Sequence, residues 1–196
     1  MKCNFTIDKI GILVILVFLC SCQNATKVEE TPQIESETPT ETVVEVPVNN
    51  QFTFLENVPE RKFPLIDSTN FDNFSSNKIL NQNQLDLIQI KKIAENPENV
   101  VAHYQIKLSK NFKTFVFTYN RGEMELFSTL VNYDNDYHFI SKLDISYDET
   151  AESWFRTESE INGNQIIVNE MNYTEETEKT TKTVYKIQEN GVISKK

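Results

Sequence analysis

The chain has 196 residues, a formal net charge of -10, 39% hydrophobic and 24% charged residues, and four glycines. An acid excess of this size with scattered Lys and Arg excludes a nucleic-acid binder, because phosphate contacts need clustered basic side chains. Its three cysteines, Cys3, Cys20 and Cys22, all lie at the N-terminus, so the rest of the chain must rely on its core rather than on disulfides. Domains above ~100 residues bury enough apolar surface for that.

Lys2 and Lys9 flank a polar start, Ile10 to Leu19 form an apolar run, and small residues follow, the three parts of a secretory signal. Leu19-Cys20-Ser21-Cys22 resembles a bacterial lipobox: Ser21 is the small residue before the acceptor, and Leu19 stands three positions before it. Cys20 departs from the Ala, Ser, Thr or Val usual in its place. As acceptor it would put Leu19 where a small residue is required, so Cys22 is the expected lipidation site and residues 1–21 the signal peptide. The resemblance implies a diacylglyceryl group on the Cys22 sulfur and commonly a further chain on its amine. Each buried methylene contributes ~0.8 kcal/mol, and one chain alone holds only marginally. An uncleaved anchor fits less well, because a span needs ~20 consecutive apolar residues. Loss of Lys2, Asp8 and Lys9 leaves -11, so the acyl anchor rather than charge must hold the protein to a membrane.

Residues 22–50 read as the lipidated cysteine and a linker. Thr31-Pro32, Thr38-Pro39 and Val46-Pro47 are interleaved with Glu29, Glu30, Glu35, Glu37, Glu41 and Glu45. Such a stretch buries too little apolar surface to offset chain entropy, and Pro with like charges extends it. It serves as a spacer or is merely tolerated low-complexity sequence.

Residues 51–196 read as one domain. Asn81 is placed as an N-cap with Gln84 completing a capping box and Leu80 facing Leu85 as a hydrophobic staple, which predicts one helix over 82–94, stopped by Pro97. Beyond it the pattern turns to period two: Ala102, Tyr104, Ile106 and Leu108; Phe115, Phe117 and Tyr119; Tyr137, Phe139, Leu143, Ile145 and Tyr147. Polar breaks divide this region into strands near 101–109, 112–120, 123–133, 137–147, 153–161, 165–174 and 181–188. Short turns make neighbours antiparallel. The expected fold class is mainly β (α+β): an antiparallel meander of about seven strands, as a curved sheet or partial barrel, with one N-terminal helix. Apolar residues on both faces, as in Leu126, Phe127, Leu130, Val131 and Tyr133, call for curling or two-layer packing.

Catalytic sets are missing from the sequence: it has no Gly-rich phosphate loop, no Gly-x-Ser-x-Gly elbow and no His-Glu-x-x-His. His103 and His138 have no serine or cysteine nucleophile nearby to activate. Asp134-Asn135-Asp136 offers oxygens, but it lacks the glycine and terminal Glu of a calcium loop and suits a hairpin turn. No catalytic residue, metal or cofactor is therefore expected. Asp144, Asp148, Glu149, Glu152, Trp154 and Arg156 form the expected binding face, because acids crowd there with the single tryptophan and an arginine, the composition of an interface hot spot. Trp154 packing under a sheet edge, with Arg156 bridging to Glu158 or Asp148, is the competing reading.

Leu143-Asp144-Ile145-Ser146-Tyr147-Asp148 and the closing Val184-Tyr185-Lys186-Ile187-Gln188-Glu189-Asn190-Gly191 resemble uncharacterised lipoproteins of Bacteroidetes. High Asn, Lys, Ile and Glu usage agrees, as does Lys27-Val28-Glu29-Glu30 after the cysteine. This resemblance brings no known activity. The expectation is a cell-envelope protein anchored at Cys22, with the outer membrane as its expected membrane, whose acidic β domain binds a protein partner or is structural. An immunity or inhibitor lipoprotein acting on an envelope toxin or hydrolase is one alternative, and a hydrolase with acidic catalysts is another.

Overall fold

Alternating apolar residues become strands because period two puts them all on one side of a pleat. Among the described residues, nine strands form an open antiparallel sheet: β1 Leu65–Asp67, β2 Glu98–Ile106, β3 Lys113–Arg121, β4 Glu125–Tyr133, β5 Phe139–Glu149, β6 Phe155–Asn162, β7 Gln165–Asn172, β8 Lys179–Ile187 and β9 Ile193–Lys195. This computed structural model describes residues 50–150, 154–174 and 177–196. The leader, Cys22 and the linker through residue 49 lie outside the described residues, as does Glu152.

β2 to β9 pair in chain order, and β1 pairs with β6. The seven expected strands are β2 to β8. β1 and β9 are additions, each of three residues, too short to leave a periodic trace. No helix among the described residues is long and apolar enough to cross a membrane.

The capping box forms as expected: the Gln84 amide donates to Asn81 Oδ1 at 3.1 Å and the Asn81 amide to Gln84 Oε1 at 2.9 Å. The helix is not continuous, however. After a single short turn, α1 Thr53–Glu56, the predicted element divides into α2 Gln82–Leu87 and α3 Ile90–Ile93, with Gln89 left-handed at φ 56° between them. Ile88, Ile90 and Ile93 are all buried. An unbroken helix turns ~100° per residue and would point Ile88 and Ile90 to opposite sides; the break lets both enter the core.

Two cores flank the sheet. One joins Phe52, Leu55, Ile88 and Ile93 of the helical segment to Phe115, Phe117, Val131 and Tyr133 of β3 and β4. Another joins Tyr104, Val116, Leu130 and Ile145 of β2 to β5 to Ile161, Ile166 and Ile187 of β6 to β8. Both sides of β3 and β4 are thus covered, which explains the apolar residues on both faces. Burying one such side chain contributes about 1.5–3 kcal/mol. At the curl, the β8–β9 turn docks on β4 and β5: Asn132 Nδ2 and the Ser141 hydroxyl donate to the Gly191 carbonyl at 2.7 and 2.6 Å.

β5 and β6 part almost at once. They pair only through Tyr147 with Thr157 and Asp148 with Arg156, and the edge of β6 then passes to β1, from Ser159 with Asp67 to Ile161 with Leu65. β1 is held there by a fully buried contact in which the Tyr104 hydroxyl donates to Asp67 Oδ2 at 2.5 Å.

Candidate functional site

Where β5 and β6 separate, the surface opens into two clefts that share Phe155 and Arg156. The first, about 510 Å³, is lined by Arg121, Glu125, Phe127, Asp144, Tyr147, Glu170 and Tyr185 among others. The second, about 400 Å³, is lined by Asp72, Asp148, Glu149 and Tyr173 among others. The expected face is therefore divided: Asp144 lies in one cleft, Asp148 and Glu149 in the other, and Arg156 borders both. Trp154 stands beside them, 46% exposed. It does not pack under a sheet edge, whereas Arg156 does bridge to Glu158, Nη2 to Oε1 at 2.9 Å. The Arg156 Nε is buried with no hydrogen-bond partner among the described residues.

Local sequence explains how these groups are held. The β3–β4 hairpin turns at Gly122, φ 67°, which sets Arg121 opposite Glu125. The guanidinium grips that carboxylate with two bonds, Nε to Oε2 at 2.9 Å and Nη2 to Oε1 at 3.1 Å, and lies 4.6 Å from the centroid of Phe127. Cross-strand register lines up Tyr119, Phe127 and Tyr147, with centroids 5.6 and 4.9 Å apart. The Tyr147 hydroxyl lies 3.0 Å from Glu125 Oε1 and 2.8 Å from Glu149 Oε2. Its single proton serves one carboxylate at a time. Burial, then the bonds to Glu149 and Glu125, raises the pKa of this hydroxyl above its ordinary value, so it stays protonated.

Glu149 also closes the β5–β6 connection, its Oε1 accepting from the Trp154 and Phe155 amides at 3.0 and 3.1 Å. Asp148 Oδ2 accepts from the Phe71 amide at 3.0 Å. Asp144 accepts from the Thr129 hydroxyl at 2.6 Å, and Thr129 lies 3.0 Å from the Tyr119 hydroxyl, whose pKa burial pushes up to about 12. The bond from Arg121 holds Glu125 below the usual carboxylate range. A general acid needs the opposite shift.

Around the clefts are exposed apolar side chains: Met124 at 52%, Phe155 at 44% and Tyr173 at 40%, together with Trp154. Backbone bonds tie their segments together, Tyr173 N to Trp154 O at 2.8 Å and Thr150 N to Met124 O at 3.0 Å. The chain enters the domain at the other end of the strands. There Phe52 stacks on Tyr137 of the β4–β5 turn, with centroids 4.0 Å apart. The nine residues of β4 separate the two ends by about 26 Å.

The other sequence candidates sit elsewhere. Asp134, Asp136 and His138 bring three ligand-type atoms within 4.8 Å of one another, but Asp134 already serves the turn: Oδ1 accepts from the Asp136 and His138 amides and Oδ2 meets the His138 ring. His103 bonds Thr118 at 3.0 Å and packs edge-on to Phe74 and Tyr104. Glu125, Tyr147, Phe155 and Glu170 were missed as site residues, although the hairpin register around Gly122 was a usable signal for Glu125. A comparison with protein-family models gives no match, and searches of curated proteins and of solved structures find none either.

Proposed function

We propose that this is a cell-envelope protein anchored through lipid on Cys22, whose β domain binds a protein partner at the two clefts. The reading is carried by the cluster of Met124, Trp154, Phe155 and Tyr173, exposed around those clefts and opposite the end where the chain enters. Contiguous exposed apolar groups are costly in water and mark interaction sites. Trp, Tyr and Arg supply most hot spots, and all three are present here. The anchoring part draws on the Leu19-Cys20-Ser21-Cys22 box.

Two measurements test the two parts. Palmitate labelling and membrane fractionation should find the protein acylated and membrane-bound, and Cys22→Ala unlabelled and released; persistent labelling of that variant would remove the anchor. A photocrosslinker at position 154 should capture a protein that a crosslinker at Glu189, at the opposite end, does not. Equal capture at both positions would remove the binding face. An inhibitor or immunity role is the second reading, favoured by the acid excess around the clefts, which suits a basic active-site entrance.

A further inference from the structure

We infer that the two clefts receive the cationic side chains of an extended, basic segment of a protein partner, one in each cleft. The inference rests on the reading of the domain as a binding module and names the chemistry of what it binds.

The first observation is the lining. Cation recognition needs aromatic faces and carboxylates that are not already neutralised. The larger cleft has the rings of Phe127, Tyr147, Phe155 and Tyr185 along its wall. Its two arginines are both engaged, Arg121 with Glu125 and Arg156 with Glu158. Asp144 has only a hydroxyl donor, from Thr129. Glu170 is exposed, and its carboxylate forms no hydrogen bond or ion pair among the described residues. The smaller cleft adds Asp72 and Asp148, while its Glu149 is already engaged by the Trp154 and Phe155 amides. A volume of about 510 Å³ falls within the range of ~300–1,000 Å³ that takes ligands of side-chain size and above.

The second is where the charge sits. Among the described residues, the segments forming this end (121–125, 144–158 and 170–182) carry eight carboxylates against Arg121, Arg156, Lys179 and Lys182. At the opposite end, Arg61, Lys62, Lys107, Lys110, Lys113 and Lys186 nearly balance Glu56, Glu60, Asp134, Asp136 and Glu189. The negative charge of the domain is thus gathered at the aromatic end, where it steers a positive partner and repels an anionic one. A neutral oligosaccharide gains nothing from that gathering. A free polyamine would use the charge but leave the exposed rim of Met124, Trp154 and Tyr173 uncovered.

The test uses the full-length protein in non-ionic detergent and fluorescence anisotropy. The probe is a labelled Gly-Lys-Leu-Lys-Gly peptide, with its Glu counterpart, spermidine and cellohexaose as competitors. The lysine peptide should bind, lose affinity about tenfold in Glu170→Gln and in Asp144→Asn, and weaken as salt rises from about 50 to 300 mM. The Glu peptide and cellohexaose should not compete, and spermidine should compete only poorly. Glu170 is exposed, so its substitution leaves the fold intact even if Asp144→Asn does not. Binding that ignores both substitutions and salt would overturn the inference, as would full competition by spermidine or by the sugar. Silence of the lysine peptide, while a position-154 crosslinker still captures a partner, would overturn the cationic occupant and leave the binding module standing.

Discussion

Replacing Tyr104 by Phe should destabilise the domain more than the same change at Tyr133, although both rings are buried in full. The Tyr104 hydroxyl donates to Asp67 Oδ2 at 2.5 Å, and Asp67, itself 0% exposed, receives its other bond from the Thr69 amide on Oδ1 at 3.0 Å. Deleting the hydroxyl strands a carboxyl oxygen that no water reaches. An orphaned buried group costs about 1–3 kcal/mol, and a carboxyl lies at the upper end, so Tyr104→Phe should lose about 2–3 kcal/mol. Tyr133 donates to the Ile88 carbonyl at 2.8 Å, and leaving that neutral acceptor unpaired lies at the lower end of the range, about 1 kcal/mol. The Arg61 guanidinium, 4.3 Å from the Tyr104 ring centroid, keeps its ring in the Phe variant, so stacking is held constant. Urea unfolding gives both values: with slopes of about 1–3 kcal/mol per molar, the Tyr104→Phe midpoint should fall about twice as far. Combined with Asp67→Ala, the loss should be less than the sum of the single losses, since both remove one contact. An additive pair, or a Tyr104→Phe midpoint no lower than that of Tyr133→Phe, would show that this contact does not hold β1.

Three further outcomes are expected. Gly191→Ala places a Cβ 3.0 Å from Ile140 Cδ1 and 3.1 Å from Phe112 Cγ at φ +84°, whereas Gly163→Ala meets nothing within 4 Å at φ +58°; thermal melts should show a loss of about 1–2 kcal/mol for the second, from conformation alone, and a larger one for the first. Asn81→Ala removes the N-cap of α2 and should cost about 1 kcal/mol by urea unfolding. Burial, then the Arg61 charge, lowers the pKa of His103, so the unfolded chain takes up a proton that the folded one resists. Stability should then fall as pH drops below about 6.5, the ordinary value for His, and His103→Phe should flatten that window in denaturation measured from pH 7 to 5.

The sheet was legible in the sequence because its order needs only local information. Period-two runs separated by Asn-rich turns give consecutive antiparallel strands, and the chain order of β2 to β9 follows. What stayed hidden depended on distant partners. Gln89 breaks the helix because Tyr133 and Tyr137 receive its neighbourhood, the Tyr133 hydroxyl donating to Ile88 O and Gln89 Nε2 to Tyr137 O at 3.2 Å. β1 is a strand because Tyr104 catches Asp67, a pairing that three residues after a proline do not announce. The acids near Trp154 were visible as composition, but their division between two clefts follows from the parting of β5 and β6, which leaves no local mark.

That parting also supports the proposal of binding at this end of the sheet. A sheet edge left open invites pairing with other chains, and here β1 takes the far half of the β6 edge while Glu149 ties the near half through the Trp154 and Phe155 amides. Between these two fixings β5 and β6 cannot zip together, so the cleft lined by Asp144, Tyr147 and Arg156 stays open. The clefts are in this sense preformed: their walls are β strands and their mouths are held by hydrogen bonds from backbone amides, so little ordering entropy is left to lose when a ligand enters. Exposed rings at a rim backed by rigid walls suit recognition of another protein. Glu125, in the larger cleft, is lowered through its bond with Arg121, which fixes a negative charge in place and provides no proton to transfer.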